Sequence, residues 1–260
     1  MTPSNRCQLC LNYRLRGWTR AALVYLVIFL AADLALPSLL YLIFGRSSGG
    51  GTVFYQPYGG DFPGSVIFGF STVIFLFVGG SASFREDFNF LLALNNTRRN
   101  QFLSTLPLTA LAGVAGLAVS IPVRILEVCV ASWINQESIR SGIQAYFQEY
   151  AASGPAKVLA SLLLFIASFS LAYAFGQAVG SLGYRFGRAF LIPFWICFGC
   201  SFILVPIIDD VNPAVRRFFE WFLGQGRALP QLNLSLHLLA FTVLLLALSG
   251  AVYRRLPQNA

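Results

Sequence analysis

Six stretches of this sequence run almost without charge for about 20 residues or more, the length of α-helix that crosses a hydrocarbon core roughly 30 Å thick. Residues 21–44 hold only Asp33, residues 106–133 only Arg124 and Glu127, and residues 156–182 only Lys157. Residues 65–83, 189–208 and 232–253 hold no charged side chain. Lipid offers backbone N–H and C=O groups no partners, so such runs must close their hydrogen bonds within a helix or a barrel. The ten-residue alternation of a membrane barrel is not seen. The expected fold is therefore all-α: one polytopic transmembrane domain over residues 1–260, with six spans on these six stretches. The composition agrees, with 57% hydrophobic and 11% charged residues against about 25% charged in soluble proteins. The first run, starting near Ala21, is too long for the core of a cleavable signal peptide.

Between spans two and three lies the stretch 84–105, FREDFNFLLALNNTRRNQFLST. Phe84, Phe88 and Leu91 recur at helical spacing and make one apolar stripe, with Leu92 beside it. Arg85, Glu86 and Asp87 run alongside, and after a turn-forming Asn95-Asn96 pair come Arg98 and Arg99. An idle solvated loop has no need of so much phenylalanine. The stretch reads as a charged, aromatic hairpin that serves as a handle for a partner.

Other segments fill in the layout. In residues 1–20, Cys7, Leu11, Leu15 and Trp18 are spaced four, four and three apart, with Arg6 and Arg16 largely off the stripe. That is the pattern of a basic interfacial helix ending in Trp. The Gly- and Pro-rich linker 46–64 is a loop and lacks the Gly-Lys-Ser/Thr of a phosphate cradle. Residues 134–155 carry Ile139, Ile143, Tyr146 and Tyr150 at the spacing of a short amphipathic helix, and 184–188 is a tight basic turn. At 212–224, Asn212 suits an N-cap and Pro213 the first helical position. Val215, Phe218, Phe219 and Phe222 form an apolar face, and Gly224 is a stop.

Six spans put both termini on one side. Arg6, Arg14, Arg16, Arg20, Arg85, Arg98, Arg99, Arg185, Arg188, Arg254 and Arg255 fall there. Opposite lie Arg46, Arg140, Lys157, Arg216, Arg217 and Arg227, matched by Asp61, Glu137, Glu149, Asp209, Asp210 and Glu220. The excess of basic residues marks the cytoplasmic face, so both termini are expected in the cytoplasm. A net charge of +8 on a soluble chain would point to nucleic acid. Here the charges flank membrane spans, and no nucleic-acid partner is expected.

Charges inside spans are costly, about 2.5–3.5 kcal/mol each at the least, and face the bundle or a cavity. Arg124 and Glu127 sit three apart on one helix face and can pair, either on a translocation route or as a structural lock. Asp33 has no local partner and can meet Arg124 across the bundle or stay wet near the outer third. Cys7-x-x-Cys10 and Cys197-x-x-Cys200 imitate a four-thiolate site, but the topology separates the pairs and no metal site is expected. His237, alone in span six, reads as a hydrogen-bonding residue. The glycosylation patterns at Asn95 and Asn233 fall on the cytoplasmic side and against a span. No catalytic motif is present, and no enzyme is expected.

An amphipathic segment before span one, a helical hairpin between spans two and three and an outer helix before span six resemble the layout of type-2 ABC transporter permeases, the bacterial exporter type. The wording of FREDFNFLLALNNTRRNQFLST is similar to the phrase such permeases carry there: an aromatic-acidic start, a Phe-Leu-Leu run, Asn and Thr, paired basics, then Phe-Leu. The resemblance implies a permease subunit in the bacterial plasma membrane, moving an amphiphile such as a peptide, lipid or hydrophobic drug by alternating access. It implies no cofactor in this chain, with ATP and Mg bound by a separate ABC ATPase subunit. Phe84, Arg85, Glu86, Asp87, Phe88, Leu91, Leu92, Arg98 and Arg99 would then be the ATPase-coupling residues. It also implies a second permease subunit, the same chain or a similar one, within membrane lipid. A non-transporting scaffold or sensor subunit and an ion-coupled carrier are the alternatives.

Overall fold

The computed structural model describes the backbone of residues 3–44, 63–93, 97–134, 148 and 154–255. Among these residues the chain is all helical. Seven helices follow in order: α1 (Pro3–Phe44), α2 (Pro63–Ala93), α3 (Arg98–Ile134), α4 (Pro155–Phe186), α5 (Arg188–Val211), α6 (Pro213–Leu223) and α7 (Pro230–Arg254). Three of them, α4, α6 and α7, carry proline in the first helical turn; its fixed φ suits that position, and its missing N–H is one that position leaves unpaired anyway. The expected amphipathic helix within 134–155 lies outside the described residues.

All six stretches expected to be spans fall inside helices. Among the described residues, three helical segments, Arg98–Val123, Pro155–Phe186 and Pro230–Arg254, are long and apolar enough to cross a membrane. They mark the chain as a membrane protein. Gly69–Ala82 and Arg188–Cys200 are shorter apolar helical segments.

The contacts set the directions. Tyr25 of α1 meets Ser71 and Thr72 of α2, its hydroxyl 2.8 Å and 3.1 Å from theirs, while Trp18 lies beside Gly79. Numbers rise on α1 as they fall on α2, so the two are antiparallel. α2 and α4 run parallel, with Phe77 beside Gly176, Gly80 beside Tyr173 and Ser81 beside Gly180. Tyr253 near the end of α7 reaches Phe84 and Phe88 near the end of α2. The start of α1, the end of α2, the start of α3, the turn from α4 to α5 and the end of α7 thus share one end of the bundle.

α4 is the hub, packed against α2, α3, α5 and α7. Leu76, Leu108, Ala112, Phe169, Ala172 and Tyr173 form its main buried cluster. At the α2–α4 crossing the backbones touch. A Cβ on Gly176 would strike the Phe77 carbonyl oxygen and lie 2.9 Å from the carbonyl carbon. Such closeness is how membrane helices gain packing without a hydrophobic drive to associate.

One element differs from the sequence reading. Residues 3–44 form a single helix, where the sequence divides an interfacial helix at 1–20 from a span at 21–44. The stripe of Leu11, Leu15 and Trp18 is a helix face as predicted, but it packs against the α4 cluster. A basic amphipathic pattern fixes which face is apolar and leaves open whether lipid or protein covers it.

Candidate functional site at the arginine end

The shared end of the bundle holds two adjoining layers, one aromatic and one polar. In the aromatic layer Phe84 and Phe88 stack on each other at 5.1 Å with 11° between planes. Tyr253 stands edge-on to both at 4.8 Å and 5.7 Å, and Tyr184 does the same at 5.7 Å and 5.3 Å. Phe102 of α3 completes the group at 5.7 Å from Tyr253. Such tilted and edge-to-face pairs each add about 0.5–1.5 kcal/mol beyond the area they bury. The layer joins α2, α3, α4 and α7.

The polar layer lies where α1 crosses the first turns of α3. Thr97 caps α3, its hydroxyl accepting from the Asn100 N–H at 3.3 Å and its carbonyl from the Gln101 N–H at 3.1 Å. Arg14, buried, donates from Nη1 to the Gln101 carbonyl and the Ser104 hydroxyl, both at 3.3 Å. The Cys7 thiol faces the Asn100 carbonyl at 3.8 Å. Asn100, Gln101, Ser104 and Thr105 are all buried. Around both layers the surface is basic: Arg16, Arg20, Arg99, Arg185, Arg188, Arg254 and Arg255 are exposed, and the Arg185 guanidinium lies 5.1 Å over the Phe186 ring.

The expected coupling residues divide in this setting. Phe84, Phe88 and Leu91 share one face as their spacing predicts, and at 0%, 0% and 2% exposure that face is turned into the chain's own bundle. Arg98 is half-buried and Arg99 exposed. The side chains of Arg85, Glu86, Asp87 and Leu92 lie outside the described residues, as does the turn at 94–96. Asp33 falls on α1 and Arg124 and Glu127 on α3, and their side chains too lie outside what is described. Sequence reading missed Thr97 as a cap, Arg14 as a buried cation, and Tyr184 and Tyr253 as the partners of the phenylalanines. The Thr97–Asn100 spacing, a hydroxyl two to three residues before a free N–H, was the available signal for the cap.

The opposite end carries a second built feature. Asn212 caps α6, its Oδ1 accepting from the Ala214 N–H at 3.0 Å. Gly224 ends the helix at φ 72°, with Gln225 N–H to Glu220 C=O at 2.9 Å and Gly224 N–H to Trp221 C=O at 3.2 Å, a Schellman motif. Asn233 of α7 donates to the Trp221 and Phe222 carbonyls at 3.2 Å each and accepts from Arg227 at 2.6 Å. His237 sits against Trp221 and Phe222 with ring centroids 4.5 Å and 5.1 Å away. Its Nδ1 lies 3.3 Å from the Asn233 amide nitrogen, the hydrogen-bonding role its solitary position implied. Phe218 and Trp221 stay half exposed on the outer face of α6.

Of the cysteines, Cys7 faces α3 and Cys10 is buried on α1, while Cys197 and Cys200 are exposed on α5. Among the described residues no group of three His, Cys, Asp or Glu could hold a metal ion. No protein-family model, curated protein or solved structure matches the chain.

Proposed function

We propose that this chain is the permease subunit of an ATP-driven exporter, a six-span membrane protein with both termini in the cytoplasm that is powered by a separate ATPase docking at the arginine end. One observation carries the reading. The two helix ends flanking residues 94–97 are continuous with α2 and α3, and through Phe84, Phe88 and Phe102 they are clamped to Tyr184 of α4 and Tyr253 of α7. A push on that turn moves four helices together, which is what converting a partner's closure into alternating access requires.

Supporting this, six helices of 24 residues or more alternate in direction, and exposed arginines gather where the positive-inside rule places the cytoplasm. Because Phe88 and Leu91 are buried, the surface offered to the ATPase is formed by exposed Thr97 and Arg99. The substrate remains an amphiphile, and a second copy of this chain or a similar chain completes the transporter.

The experiment is co-purification with a P-loop ATPase whose hydrolysis the permease stimulates. Thr97→Asp, which keeps a capping side chain, with Arg99→Glu should weaken that complex about tenfold, the effect of ~1.4 kcal/mol, and leave the melting temperature of the permease unchanged. A complex that survives the double change intact removes the turn from the docking surface. Transport that runs on a proton gradient without ATP returns the ion-coupled carrier.

A further inference from the structure

The first half of α1 presents two opposite faces. Leu11, Leu15 and Trp18 pack against the α4 cluster. On the other side Leu9, Tyr13, Arg16, Arg20, Leu23 and Val27 follow one another at steps of three and four, and all six are exposed. Such steps keep side chains on a single helix face. Arg16 and Arg20 stand one turn apart in the middle of that face, close enough to meet the same ligand. The first 32 residues hold no Asp or Glu, so this part of α1 has no carboxylate of its own to offer them.

The depth of the pair is set by the neighbouring helices. Trp18 lies beside Gly79 and Tyr25 bonds Ser71 and Thr72, which brings Arg20 level with about Phe77. That level lies within the apolar segment Gly69–Ala82 of α2, where Ile74 and Val78 are exposed. Phe77 in turn abuts Gly176 of α4. From there to Arg85 on α2 and to Arg185 on α4 no charged residue intervenes. These are eight and nine residues, about 12–14 Å at the helical rise. Arg20 therefore opens outward at a depth where the adjoining surface is apolar, and a bare cation in hydrocarbon is costly. An anion must meet it.

The face itself indicates which anion. Helical side chains lean towards the N-terminus, here towards the arginine end, so both guanidinium groups rise towards the headgroup layer as long basic side chains do. One turn deeper, Leu23, Val24 and Val27 continue the same face as exposed apolar surface. A phosphate above and an acyl chain below is the outline of a phospholipid standing along α1. The planar fork of arginine binds phosphate oxygens in pairs, and two such cations favour a headgroup that carries no cation of its own.

We infer that α1 holds one anionic phospholipid, its phosphate between Arg16 and Arg20 and a chain along Leu23, Val24 and Val27. The site is independent of any ATPase and of which side of the membrane the arginine end faces.

The test is to titrate the purified full chain in a nonionic detergent with dioleoyl phosphatidylglycerol or dioleoyl phosphatidylcholine, reading bound lipid by native mass spectrometry and stability by melting. One phosphatidylglycerol per chain should be retained, at least about tenfold more tightly than phosphatidylcholine, and should raise the melting temperature. Arg16→Gln with Arg20→Gln should weaken its retention about tenfold or more. Arg254→Gln with Arg255→Gln removes the same charge from exposed positions at the end of α7 and should change it less than about twofold. Arg20→Lys keeps the charge and loses the fork, so it should weaken retention severalfold while the lipid-free melting temperature stays put; this arm serves if the double variant folds poorly. Equal losses from the two arginine pairs would overturn the inference in favour of diffuse attraction. Equal retention of the two lipids, or equal protection by inorganic phosphate alone, would overturn it too. So would a disulfide formed by Arg20→Cys with a second copy of the chain, which would give the face to a protein partner.

Discussion

α2 meets α4, and α1 meets α3, by opposite means. At the first contact glycines remove the side chains, so carbonyls and Cα atoms touch directly at Phe77, Gly80, Tyr173 and Gly176. At the second, side chains of α1 reach across, Arg14 to the Gln101 carbonyl and the Ser104 hydroxyl and Cys7 to the Asn100 carbonyl. The first contact has one arrangement, because nothing in it can rotate to another. The second is built through side chains, with Arg14 reaching from one helix to the other. Within one bundle the α2–α4 pair makes a backbone frame, and the α1–α3 pair makes a side-chain joint.

The comparison can be broken most forcefully at the frame. Gly176→Val should drive a branched side chain into the Phe77 carbonyl. Overpacking of this kind costs about 1–3 kcal/mol and occasionally more; with backbone that cannot move aside as the obstacle, the loss should exceed that range and the yield of folded protein should collapse. Thermal melting in detergent and the yield of inserted protein would register it. A variant that melts like the parent would show that the crossing is looser than described.

Next comes Phe88→Ala, which empties the centre of the aromatic layer and should cost about 3–5 kcal/mol by the measure of buried phenylalanines in soluble cores. Phe186→Ala, on a ring that is half exposed at the same end, is the matched control and should stay within about 0.5 kcal/mol. Similar losses at both positions would dissolve the distinction between a clamped layer and its surface.

At the joint, Ser104→Ala removes one acceptor of Arg14 and should cost only about 0.5–1.5 kcal/mol, the net worth of a typical hydrogen bond. A loss as large as that of Gly176→Val would make the seam a second frame. The smallest effect belongs to the exposed pair of Arg216 and Glu220, 3.1 Å apart on α6 with side chains 71% and 42% exposed. Arg216→Ala should shift stability by no more than about 0.5 kcal/mol, a baseline against which the other three are read.

What the sequence disclosed follows the physics of each region. The helices were legible because lipid forces long apolar runs to be helical, and α6 was legible to the residue because Asn212, Pro213 and Gly224 act through local backbone chemistry. The stripe of Phe84, Phe88 and Leu91 was legible as a face. Its partners, Tyr184 and Tyr253, were not, since they arrive from residues about 100 and 165 positions later and no local pattern announces them. The continuity of α1 was hidden because an apolar stripe looks the same whether lipid or protein covers it. The glycine crossing was available in principle: Gly176 and Gly180 stand four apart in an apolar helix, a spacing that marks close helix contact. The burial of Arg14 had no signal at all, because a lone arginine near a span reads first as a surface charge.

The parallel crossing also imposes an order on how the chain is made. Gly80 and its neighbours on α2 leave the ribosome well before the α4 surface around Gly176 exists, and at about 5–20 residues per second the gap is roughly 5–20 s. During that interval α3 is complete and antiparallel to α2, yet the glycine surface of α2 faces no α4. Newly made α2 must therefore be held, by lipid or by insertion machinery, in a state that its final neighbour has yet to define. A ribosome stalled after α3 would leave that surface open for as long as the stall lasts, and the birth of α4 is the step that closes it.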